Sequence, residues 1–299
     1  MVYQDDIIVS VCSITYNQAP YIRQCLEGFL MQKTNFRYEI IIHDDCSTDG
    51  TTDIIREYAE KYPDLIVPIY QSVNQYQNGN KRILASFVYP KVRGKYFALC
   101  ECDDYWTDPY KLQKQVDFLE SHVDYAMCFH RATIILESVG VVPGLKCADI
   151  EDREYSPDEL LENWKVPTAS ILAKREVINV KNDGEERILN GDIVHILNCA
   201  KVGKIRGMID VMSVYRVQGS GVTYDQRLKR IRTMKYPEHF EFIKDNFPFL
   251  DQTIIDRKIA RAYMNRRKIQ NSFVMYMKDM FMAFRYNPLI FMDKVKSIR

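Results

Sequence analysis

The chain has 299 residues, with 41 Lys+Arg against 40 Asp+Glu for a formal net charge of +1, and it is 46% hydrophobic and 27% charged. This is the balance of an ordinary globular protein, and with only 12 Gly and 11 Pro it excludes disordered and collagen-like chains. It also lacks the basic excess of a nucleic-acid-binding protein, so no nucleic-acid partner is expected.

No run of about 20 apolar residues suggests a spanning helix. The segment Met1–Asp6 has neither the basic nor the apolar region of a secretory signal, so a cytoplasmic location is expected. The 8 cysteines are scattered without a Cys-x-x-Cys pair and are expected to be reduced, buried thiols.

In chain order, Ile7–Ser13 is an apolar, β-branched run that predicts a buried strand. Tyr21–Lys33 follows as a helix with Ile22, Leu26, Phe29 and Leu30 on one face. Glu39–His43 predicts a second strand, Thr51–Lys61 a helix with Ile54, Ile55 and Tyr58 on one side, and Leu65–Tyr70 a third strand. Gly79–Phe87 predicts a short helix and Tyr96–Cys100 a fourth strand. Asp108 and Pro109 look like an N-cap and a first-turn proline, opening a helix to about Ser121. Tyr125–His130 predicts a fifth strand. Such alternation defines an α/β fold with a mostly parallel central sheet and helices on both faces.

Charge divides the chain. Residues 223–299 hold 17 Lys+Arg against 8 Asp+Glu, whereas the rest holds 24 against 32. The expected organisation is an acidic body over 1–222 and a basic helical C-terminal region over 223–299. That region also carries Phe273, Met275, Met277, Met280, Phe281, Met282, Phe284 and Phe291. Its amphipathic pattern suits either a peripheral contact with an anionic membrane or a helical cap packed on the body.

Sheets of this class bind ligands at the carboxyl ends of their strands, which directs attention to three loops. They are Ile14-Thr15-Tyr16-Asn17, Asp44-Asp45-Cys46-Ser47-Thr48-Asp49-Gly50 and Glu101-Cys102-Asp103-Asp104-Tyr105-Trp106. Carboxylates crowded at one rim raise each other's pKa, and a divalent cation relieves the repulsion. Oxygen-only ligands suit Mg²⁺ or Mn²⁺, and such an ion beside a nucleotide site implies a diphosphate-bearing substrate. Taken singly, each loop also suits a plainer role: a turn, a helix cap or a solvated acidic bend.

Together these segments resemble the family 2 inverting glycosyltransferases, whose nucleotide-sugar domain is the GT-A fold. The likeness rests on Val9–Asn17, Glu39–Thr51, Gly94-Lys95-Tyr96, Glu101–Trp106, Pro109, Lys111-Leu112 and Gln115. It covers roughly the first two-thirds of the chain, with a nucleotide-sugar half over about 1–108 and an acceptor half over about 109–222.

The resemblance implies donor contacts from Thr15, Tyr16 and Asn17, and binding of the base, usually uracil, by Asp44 beside Asp45. The family's Asp-x-Asp motif falls on Glu101-Cys102-Asp103, with Glu in the first place. Asp103 is then the metal ligand, Glu101 a ribose or supporting contact, and Asp104 a contact to the donor sugar or a brace for the loop. Val166–Leu172 resembles the acceptor-side strand and Asn190–Val194 the general-base segment, which makes Asp192 the base. As a residue alone, Asp192 also suits a helix N-cap ahead of Ile193, Ile196 and Leu197.

In Tyr215–Val222, Arg216 is the candidate contact to the leaving diphosphate, and Gln218 stands where relatives carry His. The implied activity is metal-dependent transfer of a sugar, from a UDP-sugar or similar donor, to a glycan or lipid-linked acceptor in surface polysaccharide synthesis. It would take place in the cytoplasm, peripherally at the inner face of the plasma membrane. A nucleotidyltransferase and a non-catalytic nucleotide-sugar-binding protein are the alternatives.

Overall fold

A computed structural model describes residues 6–136, 140–141, 149–218 and 226–290. The segment 219–222 of the Tyr215–Val222 motif, the boundary after Val222, Cys147 and Phe291 lie outside the described residues.

The described chain forms two compact units. The first comprises 1–156, 163–180 and 198–218; the second comprises 157–162, 181–197 and 219–299. The second unit therefore draws two segments from the middle of the chain.

The first unit is built on one sheet. Strands β1 (Ile7–Thr15), β2 (Arg37–Asp44), β3 (Ile66–Tyr70) and β4 (Tyr96–Leu99) pair in parallel in the order β3-β2-β1-β4. Beyond β4 the sheet becomes mixed. β8 (Leu172–Lys174) is antiparallel to β4 and to β6 (Tyr125–Leu136), and β6 runs parallel to β9 (Lys204–Val217). The edge strand β5 (Tyr105–Trp106) is antiparallel to β9, and β7 (Gly140–Val141) pairs with β6. The expected parallel arrangement thus holds in the amino-terminal half, and antiparallel pairs enter with the remainder.

Alternation along the strands sorts the core. Val9 and Val11, Ile40 and Ile42, and Tyr96 and Ala98 face one side. They meet apolar stripes of α1 (Ala19–Leu30), α2 (Thr51–Lys61) and α3 (Lys111–Ser121). In α1 the stripe is Ile22, Cys25, Leu26 and Phe29, the spacing that one helical face requires. On the other side Phe87 stacks on His43 at 5.1 Å between centroids, and Tyr89 meets Phe97 at 5.6 Å. The expected helix over 79–87 is instead a π-helical turn at Leu84–Val88 followed by a 3₁₀ turn at Tyr89–Lys91.

Two other expectations are corrected. Asp108 does not cap α3 directly, because the helix starts at Lys111; the Asp108 carboxylate accepts from the Tyr110 N–H at 2.7 Å, one turn earlier. Val166–Leu172 is not a strand. Pro167 has no N–H to donate to a ladder, and its carbonyl accepts from the Ser170 N–H at 3.0 Å and the Ser170 hydroxyl at 2.6 Å. The chain therefore turns at Thr168–Ser170 and pairs only from Leu172.

The second unit is helical: α4 (Pro157–Glu162), the start of α5 (Gly191–Val202), α6 (Gln226–Asn246), α7 (Gln252–Arg266) and α8 (Phe273–Tyr286). Phe242, Ile243, Phe247, Leu250, Ile255 and Ile259 are buried there. Arg266 and Asp279 form a buried bidentate pair, with Nη2 2.7 Å and Nε 3.2 Å from Oδ1. Among the described residues no helix is long and apolar enough to cross a membrane.

Gly94 shows how closely the first unit is packed. Its N–H donates to Ser10 Oγ at 2.9 Å, and a Cβ there would lie 2.6 Å from the Ser10 nitrogen and 2.8 Å from the Val9 carbonyl carbon. Backbone cannot yield as a flexible side chain can. Gly94→Ala is therefore expected to cost about 2 kcal/mol or more, read as a lower urea midpoint with unchanged slope.

Candidate functional site at the carboxyl end of the sheet

The first two loops are stitched together by their own polar groups. Register pairs Thr15 with Asp44, and the Asp45 N–H donates to the Thr15 carbonyl at 3.0 Å. The Asn17 N–H donates to Ser47 Oγ at 2.9 Å, and Asn17 Oδ1 accepts from the Thr48 N–H at 2.8 Å. Asn17 and Cys46 both sit in the left-handed region, with φ of 53° and 64°, where Asn is among the better tolerated side chains. Asp49 accepts from the Ala19 N–H at 2.9 Å and the Thr51 N–H at 3.0 Å, so one carboxylate holds the starts of α1 and α2 together. Burial acts to raise its pKa, but these hydrogen bonds prevail and hold it below the ordinary value.

Asp44 and Asp45 are buried and occupied. Asp44 Oδ1 accepts from the Ser47 N–H and hydroxyl at 3.1 and 2.6 Å, and its Oδ2 accepts from Thr52. Asp45 accepts from the Gln75 and Tyr76 N–H groups at 2.8 and 3.0 Å, which fixes the loop after β3 against the rim. Tyr16, like Tyr76, is an exposed aromatic at this rim.

The acid loop reaches the same margin from the other side of β1. The Cys102 N–H donates to the Ile14 carbonyl at 3.4 Å, and the Ser13 hydroxyl donates to the Cys100 carbonyl at 2.5 Å. The pairing of Tyr105 with Val214 then decides what meets this loop. Carried two residues further, that antiparallel register sets Arg216 opposite Asp103. The Arg216 N–H donates to Asp104 Oδ1 at 2.8 Å, its Nε to the Asp103 carbonyl at 2.9 Å, and its Nη2 to Gln24 Oε1 at 2.8 Å. The guanidinium also lies 4.8 Å from the Tyr21 ring centre and 5.3 Å from that of Tyr105.

The Asp103 carboxylate receives Gln218 Nε2 at 3.2 Å, and the Gln18 side chain accepts from the Thr15 hydroxyl at 2.9 Å. Burial raises the pKa of Asp103, and the nearby Arg216 only partly opposes it. Asp104 is 1% exposed, and its pKa is pushed well above the ordinary range by burial and then by Asp103. Asp104 Oδ2 is buried with no hydrogen-bond partner.

Beneath the loop, Lys111 is fully buried, 4.0 Å from the Trp106 ring centre and 2.8 Å from Gln115 Oε1. Burial lowers its pKa to about 7. Lys111 and Gln115 therefore build the floor of the loop.

The structure brings Thr15, Tyr16, Asn17, Asp44, Asp45, Asp103, Asp104 and Arg216 to one sheet margin, with the exposed Glu101 in the acid loop. It assigns Asp104 to bracing, because one oxygen holds the Arg216 backbone and the side chain is closed to solvent. Gln18 and Gln24 are additions; the signal for Gln18 was its place directly after Thr15-Tyr16-Asn17 at the entrance of α1, and Gln24, inside the helix, had none. Among the described residues no three His, Cys, Asp or Glu side chains form a ready metal site. The Asp103 carboxylate is nonetheless the kind of oxygen ligand that suits a hard cation with further ligands from a diphosphate.

Asp192 belongs to the second unit, in the first turn of α5 and open to solvent. Surrounding protein raises its pKa, with backbone donors and Arg232 acting in the opposite direction.

Residues 10–170 match the sequence profile described as Glycosyl transferase family 2. The chain belongs to this family. It is 38% identical over 219 residues to an uncharacterised protein of Mycobacterium tuberculosis, covering 72% of this chain and 60% of that protein. The chain thus spans about 60% of the length of these mycobacterial relatives. It is 26% identical over 226 residues to the Escherichia coli UDP-Glc:alpha-D-GlcNAc-diphosphoundecaprenol beta-1,3-glucosyltransferase, covering 75% of this chain and 83% of that protein. The crystal structure of S. aureus TarS residues 1–349 with UDP-GlcNAc superposes with a TM-score of 0.64 at 15% identity, covering 94% of this chain and 81% of that one. The fold is therefore the expected GT-A type.

The state of Asp104 can be tested by pH. Its raised pKa means the folded chain favours the protonated form, so its stabilising contribution is complete at acid pH and is lost as pH rises through the folded-state pKa. Asp104→Asn is therefore expected to raise the melting temperature at about pH 8, with the gain shrinking towards about pH 4. A constant difference across that range would contradict the assignment.

Proposed function

We propose that the chain is an inverting glycosyltransferase that moves a sugar from a nucleoside-diphosphate donor, of the UDP type, to a hydroxyl of a glycan or lipid-linked acceptor in surface polysaccharide assembly. The observation that carries this reading is the meeting of the nucleotide-side loop and the acid loop at the end of β1, where the Thr15 and Ile14 carbonyls accept from the Asp45 and Cys102 N–H groups. The UDP-sugar and lipid-diphosphate named for the E. coli relative support the donor and acceptor classes.

In this reading Tyr16, Asn17 and the Asp44–Asp45 turn shape the nucleoside pocket, and Asp44 acts through the loop its carboxylate organises. Glu101 and Asp103 face the ribose and diphosphate. Mn²⁺ or Mg²⁺ held by Asp103 would offset the charge gained by the leaving diphosphate. Arg216, fixed through Nε and Nη2, places a permanent cation beside that group. Asp192 is the proposed base, on the family resemblance. As a carboxylate it would take the proton from the acceptor hydroxyl. A single displacement inverts the anomeric carbon, and no residue need form a covalent intermediate.

A panel of nucleotide sugars incubated with the chain and Mn²⁺ is expected to yield nucleoside diphosphate. Release of pyrophosphate from a nucleoside triphosphate would indicate a nucleotidyltransferase, and binding without turnover would overturn the enzymatic reading. Asp103→Ala is expected to abolish the metal-dependent part of donor binding, measured by calorimetry with and without Mn²⁺. Asp192→Asn is expected to keep donor affinity while transfer falls by ~10²–10⁴-fold. Transfer near the wild-type rate would remove Asp192 from the base role.

A further inference from the structure

Helix α8 has its polarity reversed for a soluble helix. Its inward side carries Tyr276, Asp279, Ala283 and Tyr286. Asp279 is fully buried against Arg266 and also accepts from Gln270 Nε2 at 3.0 Å. Tyr276 accepts from Arg267 Nη1 at 2.7 Å, and the Tyr286 hydroxyl donates to Glu241 at 3.1 Å. Met280 and Met282 are half-buried, with Met280 Sδ against Arg267, but the other large apolar side chains face outward. Phe273 is 77% exposed and Phe281 66%, and Val274, Met277 and Phe284 are exposed with them.

At 3.6 residues per turn these five gather in a stripe about 100° wide, opposite the Asp279–Ala283 side. Lys278 and Arg285, both exposed, lie along one edge of it. Burying a charged pair while leaving such a stripe in water is unfavourable on both counts, and a contiguous exposed apolar patch marks a surface that something covers.

Charge selects the occupant. The stripe belongs to the region that holds 17 basic and 8 acidic residues. A second copy seated on it would bring two basic regions together, whereas an anionic lipid surface meets both the charge and the apolar stripe. At 14 residues α8 is too short to span a bilayer.

We infer that α8 docks in the plane of an anionic membrane surface, with Phe273, Val274, Met277, Phe281 and Phe284 among the outer acyl carbons and Lys278 and Arg285 at the lipid phosphates. The surface commits the chain to lying on a membrane. The inference stands apart from the transfer reaction, because vesicle binding is measured with no donor present.

The test is co-sedimentation of the full chain with vesicles of phosphatidylglycerol and phosphatidylcholine in equal parts, and with phosphatidylcholine alone. Binding is expected to the mixed vesicles only. The triple change Phe273→Ser, Phe281→Ser, Phe284→Ser is expected to weaken it about tenfold or more. The replaced side chains are exposed, so the melting temperature should hold. The pair Lys278→Glu, Arg285→Glu is expected to weaken binding to mixed vesicles and to flatten its salt dependence. Absence of binding by the wild-type chain, or undiminished binding by the serine variant, would overturn the inference. So would light scattering that shows self-association lost in the serine variant while vesicle binding is unchanged.

Discussion

The end of β1 is the constraint on which the site depends. Within Ser13–Thr15, one hydroxyl and two carbonyls engage both flanking loops. The Ile14 and Thr15 carbonyls take the N–H groups of Cys102 and Asp45, and the Ser13 hydroxyl takes the Cys100 carbonyl. These bonds engage buried polar groups, the kind that are costly to leave unmade. A parallel strand with neighbours on both sides has its loops delivered to one edge, and β1 occupies that place between β2 and β4. Nucleotide-side and acid-side loops therefore meet because they share an anchor.

The acidic residues gathered there fall into two kinds. Asp44, Asp45 and Asp49 are satisfied within the structure by hydroxyl and backbone donors, and they serve as struts of the second loop. Asp103 and Asp104 are not satisfied to the same degree. The Gln218 amide and the Arg216 backbone N–H attend them, burial raises their proton affinity, and one Asp104 oxygen has no partner. This contrast, rather than the number of acids at the rim, separates the acids that hold the second loop in shape from those whose proton affinity burial raises.

Much of this was legible from residue order. Thr51–Lys61 is the helix its spacing predicts, because an apolar face, Gly50 ahead of it and Tyr62 beyond it all agree. The three loops followed from polar residues placed directly after apolar strands. Two things were hidden. The hydrogen bonds that the Asp44 carboxylate accepts from Ser47 and Thr52 were one, since side-chain hydrogen bonding within a loop leaves no mark on periodicity. The meeting of Arg216 with Asp103 was equally invisible, since β5 is only two residues long and shows no alternation. Val166–Leu172 misled for the opposite reason: it is apolar enough for a strand, but Pro167 and Ser170 turn the backbone first.

The brevity of β5 also bears on how the molecule is made. Tyr105 and Trp106 have as partners Val214 and Ser213, far along the chain, so the acid loop closes a long sequence interval with very few bonds. Such contacts form late, after local helices and adjacent strands have condensed. A nascent chain whose β9 is still within the ribosome would hold the four-strand parallel layer while Asp103 and Asp104 still lacked Arg216. The nucleotide-side loops could then be complete before the acidic pair is, and competence for a charged ligand would arise near the end of synthesis of the sheet.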